Sequence, residues 1–280
     1  MQILAEHWFL FPVSVLIATL AMSSGIGGAI LFSPLFMVVL ELPPPVAIGT
    51  ALLTQFFGFG SGVIGYRRRG LIDLLLAKHL VWTAVPGAIV GTALAGSIPA
   101  DLLRRIFAVV IVIIGIKLFP ASPHAAGSEA EASPEDTPPT LIDAGGRAFR
   151  YAVATPGRGR LFAGAGGTLL GMISVGLAEL LEYHLIVSNR IPPPVAVGTA
   201  IAVVWAATVV ASLGHLYTFA TVAPAGTMET VGGVVMFTIP GVLIGGQIGP
   251  WLQSRLSPSS VRTGMAAVFC VLGLFMLLQG

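Results

Sequence analysis

The sequence predicts an all-α integral membrane protein built from two inverted-topology repeats, each of about five helices or half-helices (8–10 membrane segments in all), with a broken first segment in each repeat. Three observations carry this. Of 280 residues, 55% are hydrophobic and 9% charged, and the mean hydropathy is +0.94, so polar surface is too scarce to cover a water-soluble globule. Uncharged runs near or above the ~20 residues needed to cross the hydrocarbon recur, among them "VAIGTALLTQFFGFGSGVIGY" (46–66) and "VAVGTAIAVVWAATVVASLG" (195–214). Finally, "PPPVAIGTA" (43–51) returns 149 residues later as "PPPVAVGTA" (192–200), differing only at Ile48 against Val197.

The elements follow in chain order. The start, "MQILAEH", has no Lys or Arg and no small-residue cleavage pattern after it, so the first apolar segment is expected to be retained. From Trp8 to Leu40 there are 33 uncharged residues. As one helix they would measure about 50 Å against a hydrocarbon core of ~30 Å. The excess coincides with "SSGIGG" (23–28), a natural break, and the second half has its own at "GMISVG" (171–176). Pro45 and Pro194 suit the first turn of a helix, where backbone donors are unpaired anyway. Downstream, "VPGAIVGTALAG" (85–96) resembles "IPGVLIGGQIGP" (239–250), and "IPADLLRRIFAVVIVIIG" (98–115) resembles "LSPSSVRTGMAAVFCVLG" (256–273). Between the halves, 120–158 holds six prolines and five acidic residues and reads as a hydrophilic, disordered cytoplasmic linker. The expected domains are therefore a first membrane repeat (1–119), the linker (120–158) and a second repeat (159–280).

Charge orients the repeats. With four simple spans per half, eight Lys/Arg fall on the side of Arg67, Arg68 and Arg69 and five on the other, leaving aside Lys78 within a span. If each first segment enters and returns, the tally becomes eleven against Arg104 and Arg105 alone. The second tally fits the positive-inside bias and implies oppositely oriented halves. Both termini and the 215–230 loop are then outside. A first segment that crosses twice and one that is re-entrant have the same parity, so the charges do not separate them.

A glycine-rich first segment followed by Pro-Val-Ala-Ile/Val-Gly-Thr, written once per half around a hydrophilic stretch, resembles the TauE/SafE family of sulfite exporters over about 8–119 and 161–279. The resemblance implies a multi-pass protein of the bacterial cytoplasmic (inner) membrane, exporting sulfite or a small organosulfonate by alternating access. Its partners would be a small sulfur-containing anion and the lipid bilayer, with no cofactor, and a homodimer is left open. The second half departs from the first in reading "GLAELLEYH" where the first reads "GGAILFSPL".

The repeated motifs suggest an anion site. Helix N-termini carry free N–H groups and about half a positive charge, which suits an oxyanion without a full cation in the membrane. If the two proline-led starts and the two glycine breaks converge near the midplane, the candidate substrate-binding residues are Ser23, Ser24, Gly25, Gly27, Gly28, Gly49 and Thr50, with Ser174, Gly176, Gly198 and Thr199 from the second half. Small residues also let membrane helices pack closely, which is the plainer reading of each. Glu179 and Glu182 share a helical face and are costly in mid-membrane, so they either couple protons to transport or pair with Arg190. Gln55 and Gln247 either line the path or bond between helices, and His215 reads as a satisfied or solvated histidine.

Other classes fit less well. Glu179, Glu182 and His184 cannot share one helical face, so a membrane metalloenzyme has no ligand set, and neither His-Glu-x-x-His nor Gly-x-Ser-x-Gly occurs. No phosphate loop for ATP is present, and no basic stripe with interleaved aromatics suits nucleic acid. The single cysteine, Cys270, forms no intrachain disulfide. A passive anion channel or a membrane scaffold remains the alternative to a carrier.

Overall fold

The computed structural model describes residues 7–24, 29–118, 141–153, 156–252 and 258–278. Each half contributes five helical segments in the same order. The first half gives α1 (Leu10–Ser24), α2 (Ala29–Pro34, continued as a π-helix over Leu35–Val39), α3 (Pro44–Arg68), α4 (Leu74–Ala95) and α5 (Ala100–Leu118). The second gives α6 (Pro156–Ile173), α7 (Leu177–Glu182, continued as a π-helix over Tyr183–Ser188), α8 (Pro193–Thr221), α9 (Thr227–Leu252) and α10 (Pro258–Leu278). The first segment of the second half is broken where the sequence places the break, with α6 stopping at Ile173, whereas the break expected in the first half falls on 25–28, outside the described residues. The described part of α1 is 15 residues, about 22 Å. Helices α3, α4, α8 and the Thr227–Gly249 part of α9 are long and apolar enough to cross.

The duplication extends to backbone details that side-chain identity does not dictate. Pro43 and Pro192 precede α3 and α8 with nearly the same dihedrals, φ −53°, ψ 139° and φ −53°, ψ 131°. This is the extended geometry that the residue before a proline favours, and it places Pro44-Pro45 and Pro193-Pro194 in the first turns. Glu41 and Arg190, 149 residues apart, both sit at φ +52°. A left-handed non-glycine residue costs about 1–2 kcal/mol, so its recurrence marks a turn fixed by its surroundings. Before it, the Leu40 amide donates to the Leu35 carbonyl (3.3 Å) and the Asn189 amide to the His184 carbonyl (3.1 Å), closing equivalent π-turns. The widening is not caused by proline, since Pro34 in the first half is matched by Tyr183 in the second.

The halves interlock. Gly87 and Gly91 of α4 press against the backbone of Gly164 and Thr168 of α6, while Gly241, Gly245 and Gly249 of α9 press against Ser14, Ala18 and Met22 of α1. Residue numbers rise together in both contacts, so both pairs are parallel, and small residues let the backbones touch. Counterpart helices run the other way. Gly49 of α3 faces Phe219 of α8, Gly60 faces Trp205, Gly62 faces Ile201, and Tyr66 faces Gly198. In α5 and α10, Gly115 meets Cys270 while Gly273 meets Ala108 and Val112. Both counterpart pairs are thus antiparallel. Polar contacts tie α3 to α9 as well: Thr54 to Thr238 (2.9 Å), the Ser61 hydroxyl to the Leu243 carbonyl (2.7 Å), and the Gln247 amide to the Ser61 carbonyl and hydroxyl (2.7 and 2.8 Å).

Outward-facing positions are largely apolar, with Ile89, Val90, Ile113, Leu213, Met236, Leu243 and Leu274 exposed. Such a surface suits hydrocarbon rather than water. Trp8 and Trp82 are well exposed, at 64% and 73%, whereas Trp205 lies at the α3–α8 crossing, stacked on Phe56 with centroids 6.3 Å apart.

One expectation needs correction. Part of the stretch read as a disordered linker is folded: β1 (Leu141–Ile142) pairs antiparallel with β2 (Ala148–Phe149), and Phe149 and Tyr151 are buried in the core. The Ala144 amide donates to the Arg69 carbonyl (2.9 Å), and the Tyr151 hydroxyl to the Asp73 carboxylate (2.9 Å). The aromatic pair supplies apolar anchorage that the surrounding prolines and acids had masked. Residues 119–140 lie outside the described set.

Candidate functional site

The α3–α8 crossing fixes the middle of the molecule. Because the two helices are antiparallel, their proline-led starts lie at opposite ends, against the expectation that these would converge. From Gly49, which touches Phe219, to Tyr66, which touches Gly198, is about 26 Å along α3. Gly49 and Gly198 are packing positions, where an added Cβ would meet Phe219 and the Leu71 carbonyl respectively. The threonines differ. The Thr50 hydroxyl donates to Val46 of its own helix (2.7 Å), whereas Thr199 Oγ1 accepts from the Asp73 amide (3.0 Å). Asp73 also caps α4 by accepting from the Leu76 amide (2.9 Å), so it joins α4, α8 and the β-hairpin at one point. Burial and that same carboxylate push the Tyr151 phenol well above its ordinary value.

The α6–α7 break, by contrast, is brought beside the α3–α8 crossing. Ser174, at φ +61° just past the end of α6, is buried; its hydroxyl lies 2.7 Å from that of Ser33 on α2 and donates to the Ile173 carbonyl. Gly176, at φ +108°, begins α7, and its amide donates to Glu179 Oε2 (3.0 Å). The left-handed backbone there explains the glycine. Glu179 therefore caps its own helix, while Glu182 lies at its junction with the π-helix. Ser23 is buried and donates to the Leu20 carbonyl (2.9 Å), and Ser24 is the last described residue of α1. Gly25, Gly27 and Gly28 fall outside the described residues.

Two residues that hold the breaks were not assigned this role from sequence. The Tyr66 hydroxyl donates to the Met22 carbonyl (2.9 Å), and His215 Nε2 to the Gly171 carbonyl (3.0 Å). A carbonyl only accepts, so Nε2 carries the hydrogen. Both donors and both acceptors are separated by the 149-residue repeat. Carbonyls in the last turn of a helix lack intrahelical partners, and in a membrane interior they need one. His215 is thus a satisfied histidine. A search for identical residues misses the pair because the donor is tyrosine in one half and imidazole in the other.

Two small cavities, each with room for about one water molecule, flank α3 at mid-length. Ala21, Met22 and Phe32 line one; Ser174, Gly176, Glu179 and Val204 line the other; Gln55 and Phe59 line both. Gln55 is 3% exposed, and neither its carbonyl oxygen nor its amide nitrogen has a hydrogen-bond partner. Its counterpart across the crossing is Val204. The two glutamines therefore part company: Gln247 bonds between helices, and the Gln55 carboxamide has no hydrogen-bond partner. Ser174, Gly176 and Glu179 are the sequence-predicted residues gathered here. Among the described residues no group of three His, Cys, Asp or Glu side chains has the arrangement to hold a metal.

Comparison with known proteins gives one family and several relatives. The family model described as "Sulfite exporter TauE/SafE" matches residues 10–276. "Probable membrane transporter protein YunE" of Bacillus subtilis (strain 168) is 20% identical over 97% of each chain, and "Probable membrane transporter protein YjnA" of the same organism is 24% identical over 90% of this chain and 92% of its own. "Probable membrane transporter protein ORF9" of Sinorhizobium sp is 34% identical over 41% of this chain, an alignment that spans less than half (44%) of that relative's length. No solved structure matches the chain.

Proposed function

We infer that the chain, which belongs to the sulfite exporter TauE/SafE family, is a secondary transporter that moves sulfite or a small organosulfonate anion across the bacterial cytoplasmic membrane by alternating access. The family description and the transporter names of the bacterial relatives support the substrate class and the membrane. The observation that carries the mechanism is the unpartnered carboxamide of Gln55, buried beside the broken α6–α7 segment where the counterpart helices cross.

In this reading the halves are inverted repeats with re-entrant first segments, and each rocks against the other about the α3–α8 crossing. The antiparallel contacts of α3 with α8 and of α5 with α10 support it, as does the charge tally. Gln55 offers a free neutral donor to the anion, as suits a site within the membrane, beside the Ser174 hydroxyl and the Gly176 amide, which donate to the Ile173 carbonyl and to Glu179. Glu179 stands beside them as the candidate proton carrier, with Glu182 behind it. An anion leaving a cell that is negative inside gains roughly 2.3 kcal/mol per charge per 100 mV, so export runs without ATP.

Reconstitution tests this. Proteoliposomes should take up radiolabelled sulfite saturably, faster when the lumen is made positive, and an excess of unlabelled sulfite should compete. Flux of sulfite and organosulfonates no faster than in empty liposomes would refute the reading, and fast non-saturating flux would mean a channel.

A further inference from the structure

We propose that Gln55 selects the protonation state of the passenger: the central site takes a monovalent oxyanion that still carries a hydrogen-bond donor, such as hydrogen sulfite, over the dianion and over an acceptor-only sulfonate. The inference rests on the transport reading and deepens it.

The first ground is the carboxamide itself. Buried polar groups nearly always find partners, as Thr54 does with Thr238, Ser33 with Ser174 and Gln247 with Ser61, whereas Trp205 Nε1 and Ser212 Oγ of α8, like Gln55, have none. Gln55 has neither its donor nor its acceptor engaged, although it lines both cavities. A carboxamide presents N–H₂ and C=O side by side. An anion with no hydrogen satisfies the N–H₂ and leaves the carbonyl facing its own negative oxygens. An anion carrying one O–H satisfies both.

The second ground is charge. No Lys, Arg or His lines either cavity among the described residues, and the charged lining residue is Glu179, an acid. The cost of removing an ion from water grows with the square of its charge, and no cation offsets it here. A second negative charge is therefore excluded far more strongly than the first. The third ground is the asymmetry of the crossing. Val204 stands where a second carboxamide would be, so one amide serves one small anion.

The titratable group facing Gln55 is Glu179 from α7; the portions of α1, α8 and α9 that line the cavities contribute Ala18, Ala21, Met22, Val204 and Val242. Binding to the detergent-purified full chain is measured by calorimetry between pH 6 and 8.5 with sulfite, hydrogen carbonate, methanesulfonate and sulfate. Methanesulfonate stays a monoanion without a donor throughout, so its profile reports Glu179, and the ratio of sulfite to methanesulfonate affinity is the readout. That ratio should fall about tenfold for each unit above sulfite's second ionisation, which lies near neutrality. Gln55→Met should lower sulfite affinity about tenfold or more at pH 6 and methanesulfonate affinity by less, since the sulfonate loses the N–H₂ alone and sulfite loses both partners. A ratio independent of pH, sulfate binding as well as sulfite, or a Gln55→Met protein that binds like the wild type would overturn the proposal. Sulfite binding without pH or Gln55 dependence would leave the sulfur-anion reading standing and remove this one. Hydrogen carbonate keeps its O–H up to pH 8.5, so Gln55-dependent hydrogen carbonate binding that does not fall between pH 7.5 and 8.5, with no sulfite binding, would do the reverse. Silence for all four probes would remove both.

Discussion

Thr50 and Thr199 occupy the same place in a repeated nine-residue motif, and the structure predicts unequal consequences for the same substitution. Valine keeps the volume of threonine and removes the hydroxyl. In Thr50→Val the lost bond is to the Val46 carbonyl of the same helix, which the helix ladder already satisfies, so the change should stay within about 0.5 kcal/mol. In Thr199→Val the Asp73 amide loses its acceptor at a part-buried junction. An N–H of the first turn has no helical replacement, and leaving it unmet costs about 1–3 kcal/mol. For a chain of this size about 2 °C accompanies each kcal/mol, so Thr199→Val should melt about 2–6 °C below the wild type and Thr50→Val within about 1 °C. Fluorescence-detected thermal unfolding of the purified variants in one detergent measures both. Equal shifts, or a larger one for Thr50→Val, would refute the assignment of Thr199 as the link between α8 and α4.

Three further outcomes follow from other contacts. Gly91→Ala drives a methyl group into the Thr168 backbone and should destabilise by at least about 1–3 kcal/mol, whereas Gly232→Ala, with nothing within 4 Å, should be neutral or stabilise by up to about 1 kcal/mol; yield and melting temperature read both. Tyr66→Phe should cost about 0.6–2 kcal/mol by orphaning the Met22 carbonyl, again read as a melting shift. Because the Tyr151 phenol is raised, the stability that its neutral form contributes is whole below its ordinary value of 10.0 and drains as pH rises past it. Melting curves of the wild type should therefore fall more steeply above pH 10.0 than those of Tyr151→Phe, and parallel curves would contradict the bond to Asp73.

The fold was legible where physics writes strongly into sequence. Long uncharged runs mark α3, α4, α8 and α9, the excess length of 8–40 marks a break, and paired prolines mark two helix starts. Three features were not legible. The π-turns and the left-handed Glu41 and Arg190 arise from how each returning segment is seated, and ordinary residues fill them. The β-hairpin hides in a proline-rich, acidic stretch because Phe149 and Tyr151 are only two apolar anchors. The site was half visible. Ser174, Gly176 and Glu179 were found through the break, but the proline-led motifs drew Gly49, Thr50, Gly198 and Thr199 into it, and the antiparallel crossing of α3 and α8 places those residues at opposite ends. Gln55 and Gln247 are indistinguishable as letters, since only packing decides which amide finds a partner.

The proposed central site and the rocking motion both need the halves to oppose each other across the bilayer. Single cysteines at Arg68 and Tyr217, in a Cys270→Ser background, can be labelled in intact cells with a membrane-impermeant maleimide before and after permeabilisation. The account predicts that Tyr217→Cys reacts in intact cells and Arg68→Cys only after permeabilisation. Labelling of both from the same side would contradict it.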